Sequence, residues 1–241
     1  MRLLLVTGGF HPFHDTTPIL TECLRDAGHT VRVTKAAKEL SAPSLSKYHG
    51  IILNTWRRNH PVELAESLRL SYPNGDANND FSDTQRTNLR EFVAEGGGLI
   101  SLHISADSCP NWPEMKRLTG GGYVTGISKH GPFGRFRVHV KNPKHPVAEG
   151  ITDFDTDDEL YLDMDLQPDI DVFLSAYFEG EERPLGWSTI YGDGKVVNIS
   201  LGHSGVSVGM QLDGHAKTCL CPPRPRSPFQ QLILNAIEYV G

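Results

Sequence analysis

The chain has 241 residues, 38% of them hydrophobic and 22% charged, with a formal net charge of -6 and a pI near 6.0. This is the composition of a globular protein large enough to bury a substantial core, and it reads as one domain over 1–241. An acidic balance with scattered Lys and Arg excludes a nucleic-acid partner, and no apolar run reaches the roughly 18 residues of a bilayer span, which excludes a membrane partner.

"MRLLLVTGGF" lacks a cleavage-site pattern and reads as a first strand ending in glycines, apolar enough to be buried on both faces. In the helical pattern "TTPILTECLRDAGH", Ile19, Leu20, Cys23, Leu24 and Ala27 make one stripe, and Gly28 caps it. "TVRVTKA" and "HGIILNTW" read as strands. The stretch Ser67 to Ser82, rich in Asn, Asp, Gly and Pro, reads as an exposed loop or lid. "SDTQRTNLREFVAEGGG" is a capped helix, and "LISLH" a buried strand. Alternating strands and helices predict a doubly wound, mostly parallel α/β sheet. The second half is richer in strands ("FGRFRVHV", "DVFLSAYF", "LGWSTIY", "KVVNISLG") and closes on the helix "SPFQQLILNAIEYV".

Open parallel sheets bind ligands beyond the carboxyl ends of their strands, so the residues there are the first candidates. The first strand leads into "GGFHPFHD", with His11, His14 and Asp15. His14 is the candidate; His11, between aromatics and Pro12, reads as part of a packed loop, and Asp15 as a helix cap. Trp56 and Arg57 follow the third strand. Trp56 and Trp112 are candidates to stack on a ring of a ligand. His103 ends "LISLH" at a strand-to-helix turn among small residues, a place for a general base or a metal ligand. His203 ends "SLGH", between glycines that let the backbone approach a ligand.

In "DTDDELYLDM", Asp155, Asp157 and Asp158 read as a solvated acidic face. Glu159 and Tyr161 alternate with Leu160 and Leu162, which predicts that they share one face of a strand and turn Glu159 toward the cleft. The loop "TGGGYVTGISKHGPFG" matches no phosphate-binding pattern. Its Lys129 and His130 are secondary candidates. His145 reads as a turn residue. The four cysteines, Cys23, Cys109, Cys219 and Cys221, are few and irregularly spaced, which fits reduced thiols in a cytoplasm rather than a disulfide framework.

The segments "GGGLISLHISAD", "LTGGGYVTGISKHGP", "VKNPKHPVAEGITDFDTDDELY", "GWSTIYGDGKVVNISLGH" and "FQQLILNAIEYV", in this order, resemble the ThuA-like (trehalose-utilisation) family over nearly the whole chain. The resemblance implies a flavodoxin-like fold of the class I glutamine amidotransferase type with elaborated loops. It puts His103 where amidotransferases keep a cysteine nucleophile, so glutaminase activity is not expected. It maps His14, His103, Glu159 and His203 onto the family's recurrent polar positions as catalytic candidates, with His130 and Tyr161, beside Trp56 and Arg57, as substrate-binding candidates. The proline-rich segment after His203, with Cys219 and Cys221, departs from the family pattern and bears on substrate identity.

The resulting expectation is a cytoplasmic sugar-processing enzyme of disaccharide or keto-sugar catabolism, an isomerase, epimerase or hydrolase working by His/Glu proton transfer. His14, His103 and His203 also form a candidate ligand set for a divalent metal such as zinc. The partner is a small carbohydrate, and the surface permits a homo-oligomer. The alternatives are a non-catalytic carbohydrate-binding or regulatory protein on the same fold, and covalent catalysis by Cys109 or Cys23.

Overall fold

The computed structural model describes residues 1–11, 13–71, 80–204 and 227–241. In chain order, β1 (Arg2–Gly9) leads into α1 (Phe13–Asp26), β2 (Thr30–Lys35) and β3 (Gly50–Trp56). Then come α2 (Val62–Ser71), α3 (Asp83–Ala94), β4 (Gly98–Leu102) and α4 (Glu114–Thr119). The second half holds β5 (Gly134–Val140), β6 (Phe154–Asp158), β7 (Asp171–Phe178), β8 (Glu181–Tyr191), β9 (Gly194–Ile199) and α5 (Pro228–Val240). These strands form one nine-stranded sheet, order β2-β1-β3-β4-β9-β8-β7-β5-β6. The first five in that order are parallel and the rest antiparallel. The doubly wound half follows the flavodoxin-like order, with the sequence reversing direction at β1.

Period-two alternation sends each apolar strand to two cores. Leu3, Leu5, Ile52, Ile100, Leu102, Val197 and Ile199 pack against Leu20 and Leu24 of α1 and Phe229, Leu232, Ile233 and Ile237 of α5. Leu4, Val6, Ile51, Leu53, Leu99 and Val196 pack on the other face against Leu89, Phe92 and Val93 of α3 and Met115 and Leu118 of α4. Ser82 and Ser227 each accept a hydrogen bond from the backbone N–H three residues on, closing capping boxes that start α3 and α5. Among the described residues no helix is long and apolar enough to cross a membrane.

Two local readings change. Val62–Ser71 is helical, so the loop expected over 67–82 begins later: "VELAESLRL" is built of strong helix formers, and the Pro73–Asn74–Gly75 breakers come after it. Residues 72–79 lie outside the described residues, as does the proline-rich segment after Ser204, with Cys219 and Cys221. The short helix α4 is absent from the sequence reading; Pro113 at its N-cap and left-handed Gly120 at its C-cap are the signals that mark it.

The parallel register sets the stage for the site. Gly9 pairs with Trp56 and Leu102 with Ile199, so the chains leaving β1, β3, β4 and β9 emerge side by side. Gly9 has φ +112°, and a Cβ there would lie 2.1 Å from the Trp56 carbonyl oxygen. Gly9→Ala is therefore expected to cost at least ~2 kcal/mol and to lower the thermal unfolding midpoint by about 5 °C or more. An unchanged midpoint would show that the loop into α1 does not depend on this approach.

Candidate functional site

Three imidazoles meet above the carboxyl ends of the central strands. His103 is the first residue past β4 and takes a left-handed φ of +52°, which turns its ring back over the sheet edge. The turn is tied to the end of β3. Ser105 Oγ accepts from Thr55 N at 3.0 Å and donates to Leu53 O at 3.0 Å, and Ser108 Oγ accepts from Arg57 N at 3.0 Å. His103 Nδ1 lies 3.1 Å from Ser200 O. A carbonyl can only accept, so the bond to Ser200 favours the proton on Nδ1 and the lone pair on Nε2; the Tyr161 hydroxyl, 2.9 Å from Nδ1 and 2.8 Å from Nε2, can donate to that lone pair. His203 Nδ1 is 3.1 Å and His11 Nε2 2.9 Å from His103 Nε2, and the first two are 2.9 Å apart.

A buried carboxylate sets the loop after β9. Asp158, fully buried at the end of β6, accepts from Gly202 N at 2.8 Å, His203 N at 3.2 Å and Glu159 N at 2.8 Å. One side chain thus positions both His203 and the turn carrying Glu159. At Gly202, φ is +139° and an added Cβ would stand 3.2 Å from His103 Cβ. Only glycine lets the two histidine-bearing loops approach this closely.

Glu159 completes the group. Its Oε2 is 3.5 Å from His203 Nδ1 and 3.9 Å from His103 Nε2, and its Oε1 is 3.6 Å from His130 Nδ1. The Tyr161 hydroxyl lies 2.8 Å from His103 Nε2, with the two rings stacked. Burial governs the charges. It drives His103 and His11 well below the usual imidazole range and His203 down to about 4, with neighbouring imidazoles adding to the effect. It pushes the Glu159 carboxyl up to about 7 and the Tyr161 phenol well above 10.0. Near neutral pH the site therefore holds neutral imidazoles beside a carboxyl poised to gain or lose a proton.

The sequence-level candidates His103, His203, Glu159, Tyr161 and His130 come together in this cluster. His14 does not: it enters α1 and its Nε2 sits 3.3 Å from Asp15 Oδ1. The imidazole from that loop is His11, two residues past Gly9, where the chain still overhangs the sheet edge. Arg57 is 2% exposed and donates from Nη2 to Thr7 O at 3.0 Å, bracing β1 rather than facing the cleft. Trp56 stands at the rim, its Nε1 donating to Asp107 Oδ2 at 3.0 Å. Asp107 also takes Arg58 Nη1 and Thr125 Oγ1, each at 2.6 Å, and so fastens the glycine-rich loop over the site. Trp112 packs instead on the second core, beside Arg86. Lys129 is exposed, 3.6 Å from Asp163.

Two corrections concern the acidic stretch. Asp155 and Asp157 do face Arg137 and Arg135 outside, but Asp158 is buried, because alternate residues of β6 turn inward. Glu159 and Tyr161 share no strand face, since Glu159 lies in the turn after β6 and only Tyr161 enters a strand, the short Tyr161–Leu162 pairing with Lys129–His130. Sequence reasoning also missed Tyr123, whose ring is 4.8 Å from Tyr161. Cys109 is a buried thiol that accepts from Phe81 N at 3.1 Å, and burial raises it to about 11, unsuited to a nucleophile. Cys23 is buried in the first core.

A cavity of about 200 Å³ adjoins the cluster at the ends of β1 and β2, lined by Gly8, Gly9, His11, His14 and Lys35. The larger groove, about 600 Å³ at the opposite edge of the sheet beside His49, Gly97 and Asp193, has no comparable set.

The sequence matches the family described as ThuA, trehalose utilisation, over residues 2–212. A search of curated proteins finds no match. Among solved structures, a ThuA-like protein from Parabacteroides merdae superposes with TM-score 0.73 at 21% identity, covering 100% of this chain and 89% of that one. A cytoplasmic protein from Salmonella typhimurium gives 0.59 at 15%, covering 100% and 99%. A β-galactosidase from Bacillus circulans gives 0.58 at 11%, covering 98% of this chain and 30% of that one. At such identities the likeness is one of fold, consistent with the class I glutamine amidotransferase type.

Two outcomes follow from this geometry. Asp158→Asn puts an amide N–H against backbone donors and is expected to cost about 2 kcal/mol or more of stability, read by denaturant unfolding. Wild-type stability in that variant would show that the three bonds are dispensable. For Glu159, the folded carboxyl at about 7 holds its proton where the unfolded one, near 4.5, has lost it. Wild-type stability therefore falls as pH rises from about 4.5 through 7, and Glu159→Gln removes that loss. In chelator-treated protein the variant should gain up to about 3 kcal/mol on wild type between pH 4.5 and pH 8. A pH-independent difference between the two would contradict the assignment.

Proposed function

The chain belongs to the ThuA, or trehalose-utilisation, family, and on that premise we propose that it is a cytoplasmic enzyme of disaccharide or keto-sugar catabolism that moves a proton beside a sugar carbonyl. The observation that carries this reading is the convergence of one nearly buried carboxyl, Glu159, with three buried or half-buried imidazoles and a tyrosine hydroxyl at the carboxyl edge of a parallel sheet. A carboxyl with a pKa of about 7 is matched to taking and returning a proton near neutral pH.

A keto-sugar acidifies the C–H next to its carbonyl. Glu159, as carboxylate, takes that proton; the electron pair moves onto the carbonyl oxygen, where the Tyr161 O–H stabilises the enolate. Return of the proton to the other face or the neighbouring carbon gives an epimer or isomer. Trp56 and Tyr123, both partly buried, offer aromatic faces to the apolar side of a sugar ring. Hydrolysis by two carboxylates fits less well, because Asp158 is committed to backbone N–H groups and Asp107 to Arg58, Trp56 and Thr125. A glutaminase reading has no support: His103 occupies the turn, and Cys109 is buried six residues beyond it.

The test is hydrogen–deuterium exchange at the carbon beside the carbonyl of a keto-disaccharide, followed by NMR in D2O. Wild type should catalyse exchange, and Glu159→Gln should slow it by about 100-fold or more while still binding the sugar. Sugar binding without exchange in wild type would identify a carbohydrate-binding protein instead. Full exchange by the Gln variant would show that Glu159 is not the base.

A further inference from the structure

The three imidazole nitrogens cannot satisfy one another. The bond from Nδ1 to Ser200 O favours a lone pair on His103 Nε2, which the Tyr161 hydroxyl also approaches, at 2.8 Å. His11 Nε2 and His203 Nδ1 lie 2.9 and 3.1 Å from that nitrogen and 2.9 Å from each other. A neutral ring nitrogen either donates or accepts, never both, so one edge of this triangle always sets lone pair against lone pair or N–H against N–H. Protonating a ring adds a second N–H but places a charge in a site where burial and two neighbouring imidazoles oppose it.

A single cation resolves all three contacts, since each nitrogen can turn its lone pair to the same point. With metal–nitrogen bonds of about 2.1 Å, this spacing corresponds to ligand angles of about 90°, three donors on one side and an open opposite side. The surroundings match a ligand set. His103 Nδ1–H donates to a backbone carbonyl, the partner that commonly fixes the tautomer of a metal-binding histidine. His203 Nε2 is buried without a hydrogen-bond partner among the described residues, so no bond there fixes the tautomer and Nδ1 is free to present its lone pair.

We infer that His11 Nε2, His103 Nε2 and His203 Nδ1 bind one divalent first-row transition-metal ion such as zinc, whose open side faces Glu159 and Tyr161. Imidazole donors select such ions over calcium or magnesium. The set differs from the His14, His103, His203 grouping expected from sequence by one residue, and that residue supplies the control. The inference deepens the sugar reading and rests on it only for purpose: bound metal would polarise a sugar hydroxyl or carbonyl oxygen, leaving Glu159 to move the proton. Glu159 Oε2, 3.5 Å from His203 Nδ1 and 3.9 Å from His103 Nε2, is near enough to act on a group held there.

The full chain, untagged and stripped with chelator, is titrated with Co²⁺ and followed by visible absorption, then with Zn²⁺ in competition. Wild type should take up one equivalent of Co²⁺ with the bands of a protein-bound ion, displaced by one equivalent of Zn²⁺. His11→Ala and His203→Ala should each weaken uptake by about 100-fold, and His14→Ala should bind as wild type does. His11 lies on a partly exposed loop, so its variant reports on the site even where His203→Ala unfolds. No saturable uptake by wild type, or equal uptake by His11→Ala, overturns the site. Because absorption is the readout, a metal-loaded protein that catalyses no exchange would sink the sugar reading and leave the metal site standing.

Discussion

The candidate site depends on the carboxylate of Asp158. It is fully buried and accepts from backbone N–H groups, two from the loop after β9 and one from the turn after β6. Charge-assisted bonds of this kind are short and directional, and a carboxylate can accept several at once. Two segments far apart in sequence are thereby held in one geometry. His203 and Glu159 face each other because the same two oxygens anchor both main chains.

Around that anchor the backbone is drawn tighter than most sequences allow. His103 holds a left-handed conformation at the end of β4, of a kind that costs of order 1–3 kcal/mol. The side-chain bonds from Ser105 and Ser108 to the extension of β3 keep it there. The parallel register then brings the loop after β9 alongside, and glycine at 202 removes the one Cβ that would hold His203 away. Strain and close approach coincide at the point where the chemistry-bearing side chains meet.

Burial gives this geometry its electrical character. With little water to solvate charge, the imidazoles remain neutral and the carboxyl of Glu159 titrates near neutrality rather than near 4.5. Neutral imidazoles present lone pairs, and a carboxyl at about 7 exchanges protons readily. The same desolvation that makes the site costly to fold makes it suited to binding a cation or a sugar hydroxyl, and to moving a proton beside it.

By itself the sequence determined the alternation of strands and helices, the strand ends from which His103, His203 and Trp56 emerge, and the helices that cover both faces of the sheet. Those features are local: continuous apolar runs, capping serines and glycine stops act over a few residues. Tertiary structure alone decided which loop imidazole reaches the cluster, since His11 and His14 stand three positions apart and only the overhang past Gly9 separates them. It also decided that Asp158 turns inward among acids that otherwise face Arg135 and Arg137, and that Arg57 braces β1 instead of lining the cleft. Each of these outcomes depends on a partner distant in sequence or on the direction of one side chain, which composition and periodicity leave open until the sheet brings its edges together.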